Sequence, residues 1–194
     1  PAEGRVASYR NVELQAIFGV TLMAVLGVAS IAPALPRIAS TLGVSAGSVS
    51  LLVTAFTLPG VILTTFAGIL ADRYGRLRIL VPGLVLFALA GAACVFATSL
   101  PALVALRVLQ GIGASPIGSI NVTLIGDLFG DRQRTAAMGY NASVLSIGTA
   151  AYPAIGGALA MLAWSAPFAL SLLALPVAVL VLRRLHMAPR GHKA

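Results

Sequence analysis

Long runs without charge set the tightest limit on what this chain can become. Six stretches, 14–34, 49–71, 79–97, 102–126, 136–160 and 164–182, are dominated by Leu, Val, Ala, Ile and Gly, and only the fourth holds a charge, Arg107. A helix rises about 1.5 Å per residue, so about 20 apolar residues cross the hydrocarbon core of a bilayer. Backbone groups in lipid must be satisfied within the segment, which leaves helices or a closed barrel. The runs are too long and too uniform for the alternating segments of a barrel. The expected fold is all-α, a polytopic membrane protein with six transmembrane helices. The last two share one charge-free stretch, and their break is expected near Ala163–Pro167, where Trp164 suits a membrane interface.

Composition agrees with a lipid solvent. Only 9% of the 194 residues are charged and 59% are hydrophobic, against about 25% charged in a soluble domain. The net charge of +8 does not point to nucleic acid, because the basic residues form no continuous polar face. They sit instead in the connections. Arg5 and Arg10 precede the first span, Arg73, Arg76 and Arg78 follow the second, and Arg132 and Arg134 follow the fourth. Arg183, Arg184, Arg190 and Lys193 follow the sixth, and Arg37 alone lies in a loop on the opposite side. The positive-inside rule then puts both termini and the basic tail 183–194 in the cytoplasm. A bacterial cytoplasmic (inner) membrane is the expected location. The first run is too long for a signal-peptide core, and further spans follow it.

The single cysteine, Cys94, excludes an intrachain disulfide, and His186 and His192 lie in the polar tail. No metal, cofactor or catalytic cluster is expected. Asn121 and Asn141 each begin an N-x-[ST] triplet inside a predicted span, so they are read as pore-facing or interhelical hydrogen bonders rather than glycan acceptors.

Three motifs carry more specific information. Gly68-Ile-Leu-Ala-Asp-Arg-Tyr-Gly-Arg-Leu-Arg78 joins the second and third spans. It resembles the signature loop of the major facilitator superfamily, G-x-L-A-D-R-x-G-R-[RK]-x, except that Leu77 replaces a basic position and Arg78 supplies a charge one step later. Arg107-Val-Leu-Gln-Gly111 in the fourth span resembles that family's R-x-x-Q-G motif. Gly148-Thr-Ala-Ala-Tyr-Pro-Ala-Ile-Gly-Gly157 in the fifth resembles its antiporter motif G-x-x-x-G-P-x-x-G-G, with Tyr152 where glycine is expected.

The physical reading of these residues stands beside the resemblance. Gly68 permits close helix approach, Gly75 a tight turn, and Asp72 is an anion at a helix end. A charge within a span, such as Arg107, is costly and faces a cavity or partner unless it snorkels to the interface. Gln110 shares its helix face. Gly111, Gly148, Gly156 and Gly157 are expected at helix contacts, and Pro153 at a bend.

The resemblance implies one half of a major facilitator fold, with 3+3 inverted repeats. In that family the acid of the loop meets a helix of the C-terminal half, and the following arginine meets an acid after helix four. Gly68, Asp72, Arg73, Gly75 and Arg76, with Asp127, therefore form the expected gating cluster. Arg107, Gln110, Asn121 and Asn141 are candidates for the cavity or for coupling. The implied activity is proton-coupled efflux of a small, largely apolar compound, not an enzymatic reaction. The alternatives are a sugar, metabolite or siderophore transporter, or a non-transporting six-helix subunit. The implied partners are a small substrate, protons, the lipid bilayer and a second six-helix half. The basic tail resembles the start of the family's central cytoplasmic loop, so truncation is the expected reason for one half.

Overall fold

The computed structural model describes residues 11–185, without the side chains of Asp131 and Arg132. Arg5, Arg10, His186, Arg190, His192 and Lys193, which the sequence reading used, lie outside the described residues. Helices α1 (Val12–Ala29), α2 (Leu35–Leu42), α3 (Ala46–Tyr74), α4 (Arg76–Cys94), α5 (Leu100–Leu128), α6 (Asp131–Leu162), α7 (Ala166–Ala169) and α8 (Ala174–Arg184) follow in order, with 3₁₀ turns at Ala32–Ala34 and Leu170–Leu173. They group into six units long and apolar enough to cross a membrane, the first being Val12–Leu42 and the last Ala166–Arg184.

Local chemistry sets the boundaries. The side chain of Asn11 accepts a hydrogen bond from the Glu13 N–H and starts α1. Pro33 has no N–H to give to the Ala29 carbonyl, so α1 stops there and the chain turns through the 3₁₀ segment into α2. The first span is therefore longer than 14–34 and is broken within. Ser45 caps α3 by accepting from the Ser48 N–H at 3.1 Å. Gly75 (φ 102°) alone separates α3 from α4, a conformation that a side chain would strain. The break at Ala163–Ser165 lies where expected.

Other boundaries also differ from the sequence reading. The polar stretch left between the expected spans 102–126 and 136–160 is not a loop throughout: α5 runs to Leu128 and α6 starts at Asp131, leaving only Phe129 and Gly130 between them. Charged residues are adequate helix formers, so the helix continues past the end of the apolar run. The third helix ends at Cys94, earlier than 97, and residues 95–97 turn toward Ser99.

The spans pack with an internal regularity. Span two lies on span four (α3 on α5), and span five lies on span one (α6 on α1). Span three packs on span four (α4 on α5), and span six on span one (α8 on α1). Spans three and six touch each other, as do spans one and four. Replacing each span by the one three places further on leaves this set of neighbours unchanged, as a 3+3 repeat requires.

Glycines make the closest crossings possible. A Cβ on Gly111 of α5 would overlap the Phe56 carbonyl oxygen of α3. On the equivalent interface, a Cβ on Gly156 of α6 would overlap the carbonyl oxygen of Ser30. Gly148, Tyr152, Gly156 and Ala160 recur every four residues and form the buried stripe of α6. Tyr152 fills its place in this stripe, 7% exposed, so the departure from glycine is a packing residue. Gly157 makes only ordinary contact with Pro33, and a Cβ on Gly68 would meet nothing within 4 Å among the described residues. Close approach at Gly68 is thus not a feature of this six-helix unit.

Gly156→Val should be strongly destabilising, because the Ser30 backbone cannot retreat as a flexible side chain could; overpacking of this kind costs about 1–3 kcal/mol or more. The exposed Gly139→Ala on the same helix should leave stability unchanged or slightly raised. Thermal unfolding followed by monodisperse elution of the purified variants checks the contrast.

Candidate functional site

Arg107 is fully buried. It does not snorkel to an interface, nor does it open onto a cavity. Its Nη2 donates to the Gly27 carbonyl at 2.7 Å, its Nε to the Leu52 carbonyl at 3.1 Å, and its Nη1 to the Gln110 Oε1 at 2.8 Å. The guanidinium lies 4.5 Å from the centre of the Phe56 ring and 5.9 Å from that of Phe168.

The break in α1 explains why this charge is tolerated. Gly27 lies in the last turn of α1, where carbonyls lose their helical donors. The Ile31 N–H turns to Val28 instead of Gly27. Arg107 therefore caps the negative end of α1, and the Phe56 ring adds a cation–π contact. Gly27 is required for this arrangement, because a Cβ there would run into the Phe56 ring. Gly91 plays the same part for Gln110, whose amide would collide with any Cβ at that position. Three of the five guanidinium N–H groups are thus committed within the protein, and among the described residues Arg107 faces helical partners rather than a cavity.

Further along α5, the Nδ2 of Asn121 donates to the Thr21 hydroxyl at 2.7 Å, and that hydroxyl bonds in turn to Oδ1 of Asn141. The chain of bonds ties α5, α1 and α6 together. Thr21 and Asn121 are buried, and Asn121 Oδ1 has no donor among the described residues. Both asparagines are thus interhelical hydrogen bonders. Sequence reading missed Thr21, Gly27, Phe56 and Gly91. Thr21 alone had a signal, as one of few polar residues in an apolar run; the others are defined only by what they touch.

The third assembly lies where α3 passes into α4. Arg76 Nη1 is 2.7 Å from Asp127 Oδ2, and its Nη2 is 3.4 Å from Asp72 Oδ1. The contact with Asp127 is an ion pair that does not run along an N–H bond, which leaves Nη1 without a well-directed hydrogen bond. The side chains of Arg76 and Asp127 are 12% and 17% exposed, and that of Asp72 is 68% exposed. The inner pair is therefore shielded from solvent, while Asp72 is open. Arg73 lies beside the neighbouring Tyr74 ring, 5.6 Å from its centre, and takes no part in the ion pairs.

The structure thus joins Asp72, Arg76 and Asp127, joins Arg107 with Gln110, and joins Asn121 with Asn141. It does not unite the three groups. Among the described residues, no set of three His, Cys, Asp or Glu side chains is placed to hold a metal ion.

Residues 17–194 match the sequence profile of the Major Facilitator Superfamily. The chain belongs to that superfamily. Among curated proteins it is similar to the bacillibactin exporter of Bacillus subtilis, with 36% identity over 160 residues, covering 79% of this chain and 40% of that protein. It is also similar to the uncharacterized transporter YebQ of Escherichia coli, 32% identical over 182 residues, which cover 93% of this chain and 39% of the relative. A third relative is the quinolone resistance protein NorA of Staphylococcus aureus, 31% identical over 143 residues, or 74% and 37% of the two chains. The chain spans about two-fifths of the length of these superfamily relatives, and its six apolar helices form half of the superfamily fold.

Arg107→Ala should lower the melting temperature of the purified protein, because the Gly27 carbonyl and the Gln110 amide lose their partner at about 1–3 kcal/mol per buried group. Arg107→Lys should fall between that variant and wild type, since an ammonium cannot span three diverging acceptors. Equal melting temperatures in all three proteins would contradict the capping role.

Proposed function

We propose that this chain is the N-terminal half of a secondary transporter that exports a small, largely apolar compound by alternating access, driven by proton entry. The observation that carries the reading is the asymmetry of the α3–α4 turn. Arg76 is held to Asp127 inside this half, while the Asp72 carboxylate is left exposed at the end of a helix whose apolar face is also open. Spans two and five have the fewest buried residues, 17% and 22% of their apolar windows against 33–56% in the other four. They are equivalent under the repeat exchange, so both open surfaces suit a second six-helix half. Asp72 then meets a helix N-terminus or a cation of that half, and the contact closes the cytoplasmic side.

Export is favoured by the names of two relatives, one an exporter of bacillibactin and one a quinolone resistance protein. The first, the more similar of the two, also favours a second reading in which the exported compound is a siderophore. Among the described residues the acids Glu13, Asp72, Asp127 and Asp131 all lie near helix ends, which on this reading favours a proton-binding group in the second half. The positive-inside pattern supports a cytoplasmic α3–α4 turn.

Cells expressing the full-length protein should extrude an apolar fluorescent dye, and a protonophore should stop the extrusion. Asp72→Asn and Arg76→Gln should each lower the rate about tenfold or more with membrane insertion intact, the loss expected when a charge-assisted contact of about 1.5–3 kcal/mol is removed from a required state. Extrusion that persists without a proton gradient would remove the coupling, and wild-type rates in both variants would remove the gate.

Orientation has its own test. A cysteine at the exposed Tyr74 should resist an impermeant thiol reagent applied to intact cells and react once the cells are opened; labelling from outside would invert the topology.

A further inference from the structure

A cavity of about 370 Å³ lies between α3, α4 and α5, and no residue of the three polar assemblies described above lines it. Its walls are almost wholly apolar. Leu63, Ala67 and Leu70 line it from α3, and Pro82 and Leu86 from α4, with Pro116 of α5 at its back. One charged residue belongs to the lining, Arg78. It is exposed, and it has no ion pair or hydrogen bond among the described residues, unlike its neighbour Arg76.

The cavity has a polar end and an apolar end. On α4, Arg78, Pro82 and Leu86 are four residues apart and share a face. From Arg78 to Leu86 the helix rises about 12 Å, close to half of the about 30 Å hydrocarbon core. The antiparallel α3 contributes Leu70 beside Arg78 and Leu63 toward Leu86, so the groove is one leaflet deep with its cation at the membrane surface. Arg78 also lies in the first turn of α4, whose N-cap Gly75 makes no side-chain capping bond, so the helix dipole adds to the positive field there.

The charge stands here because of the departure in the loop motif. With Leu77 in the position that is often basic, the side chain at that point packs against the apolar core. The charge moves one residue on, about 100° around the helix, to the face that borders the groove.

We infer that this groove is a binding site for an anionic phospholipid, with one acyl chain against α3, α4 and α5 and the phosphate at Arg78. A zwitterionic lipid offers the same chain but no net charge to match the arginine. This site does not depend on which compound the protein transports, or on whether it transports at all.

Native mass spectrometry of the full-length protein in mild detergent tests the inference. With phosphatidylglycerol and phosphatidylcholine of identical chains added in equal amounts, phosphatidylglycerol should be retained about fivefold better, the effect of one basic side chain near a lipid surface. Arg78→Gln should bring the ratio near one. Leu86→Trp, which fills the deep end and leaves Arg78 in place, should reduce retention of both lipids; unchanged elution and melting temperature show that each variant is folded. Soluble glycerophosphoglycerol should not compete. Equal retention of the two lipids, a preference that survives Arg78→Gln, or indifference to Leu86→Trp would each overturn the site. Competition by the soluble headgroup would replace the lipid with a free phosphate compound. No retained lipid at all would mean that another part of the protein covers the groove.

Discussion

The packing of this half depends on a buried guanidinium that meets no acid among the described residues. Removing Arg107 from water is expensive, and the structure recovers that cost from an unusual source. Pro33 ends α1 inside the first span, and the broken helix presents last-turn carbonyls and a partial negative charge. Arg107 reaches one of these, a carbonyl of α3, and an amide of its own helix, with Phe56 stacked nearby. Three spans are thereby fixed at one point. The close approaches at Gly27, Gly91 and Gly111 accompany it: the Phe56 ring, the Gln110 and Ser171 side chains, and the Phe56 backbone, respectively, enter space that a methyl group would occupy.

A second tie, through Thr21, Asn121 and Asn141, joins span one to spans four and five farther along the bundle. Hydrogen bonds of this kind between helices in lipid contribute about 0.6–2 kcal/mol, enough to fix orientation when packing already brings the helices together. The two ties share α1 and α5, the pair that the repeat exchange maps onto each other. The best-anchored part of the bundle is thus its pseudo-symmetric centre. Spans two and five, at its edges, each take part in only one of the ties and in one close glycine crossing, and they expose broad apolar faces.

Much of the architecture could be read from the sequence, because the hydrocarbon length of a span and the placement of arginines are one-dimensional properties. The six spans and the break near Trp164 were legible in that way. So was the partnership of Arg76 with Asp127, through a motif. What the sequence hid is three-dimensional. Nothing in a string of apolar residues distinguishes Gly27, which a Phe56 ring covers, from Gly68, which has open space beside it. The polar stretch between spans four and five reads as a loop because its composition changes, yet hydrogen bonding carries both helices through it. Tyr152 reads as a disrupted motif, whereas its ring occupies a regular place in the buried stripe of α6.

These features bear on where motion can occur if the protein works by alternating access. A half whose centre is tied by Arg107 and by Thr21 cannot readily shear α1 past α5 without stranding a charge or several amides in an apolar interior. Each stranded group costs about 1–3 kcal/mol or more, which exceeds what a small substrate could supply through one or two contacts. Movement is easier where the surfaces are apolar and lack directional bonds, along the outer faces of α3 and α6. At the end of α3 a single exposed carboxylate, Asp72, can bond to whatever lies opposite. A rigid half rocking against a partner, with one polar latch at the turn, is what this distribution of bonds permits.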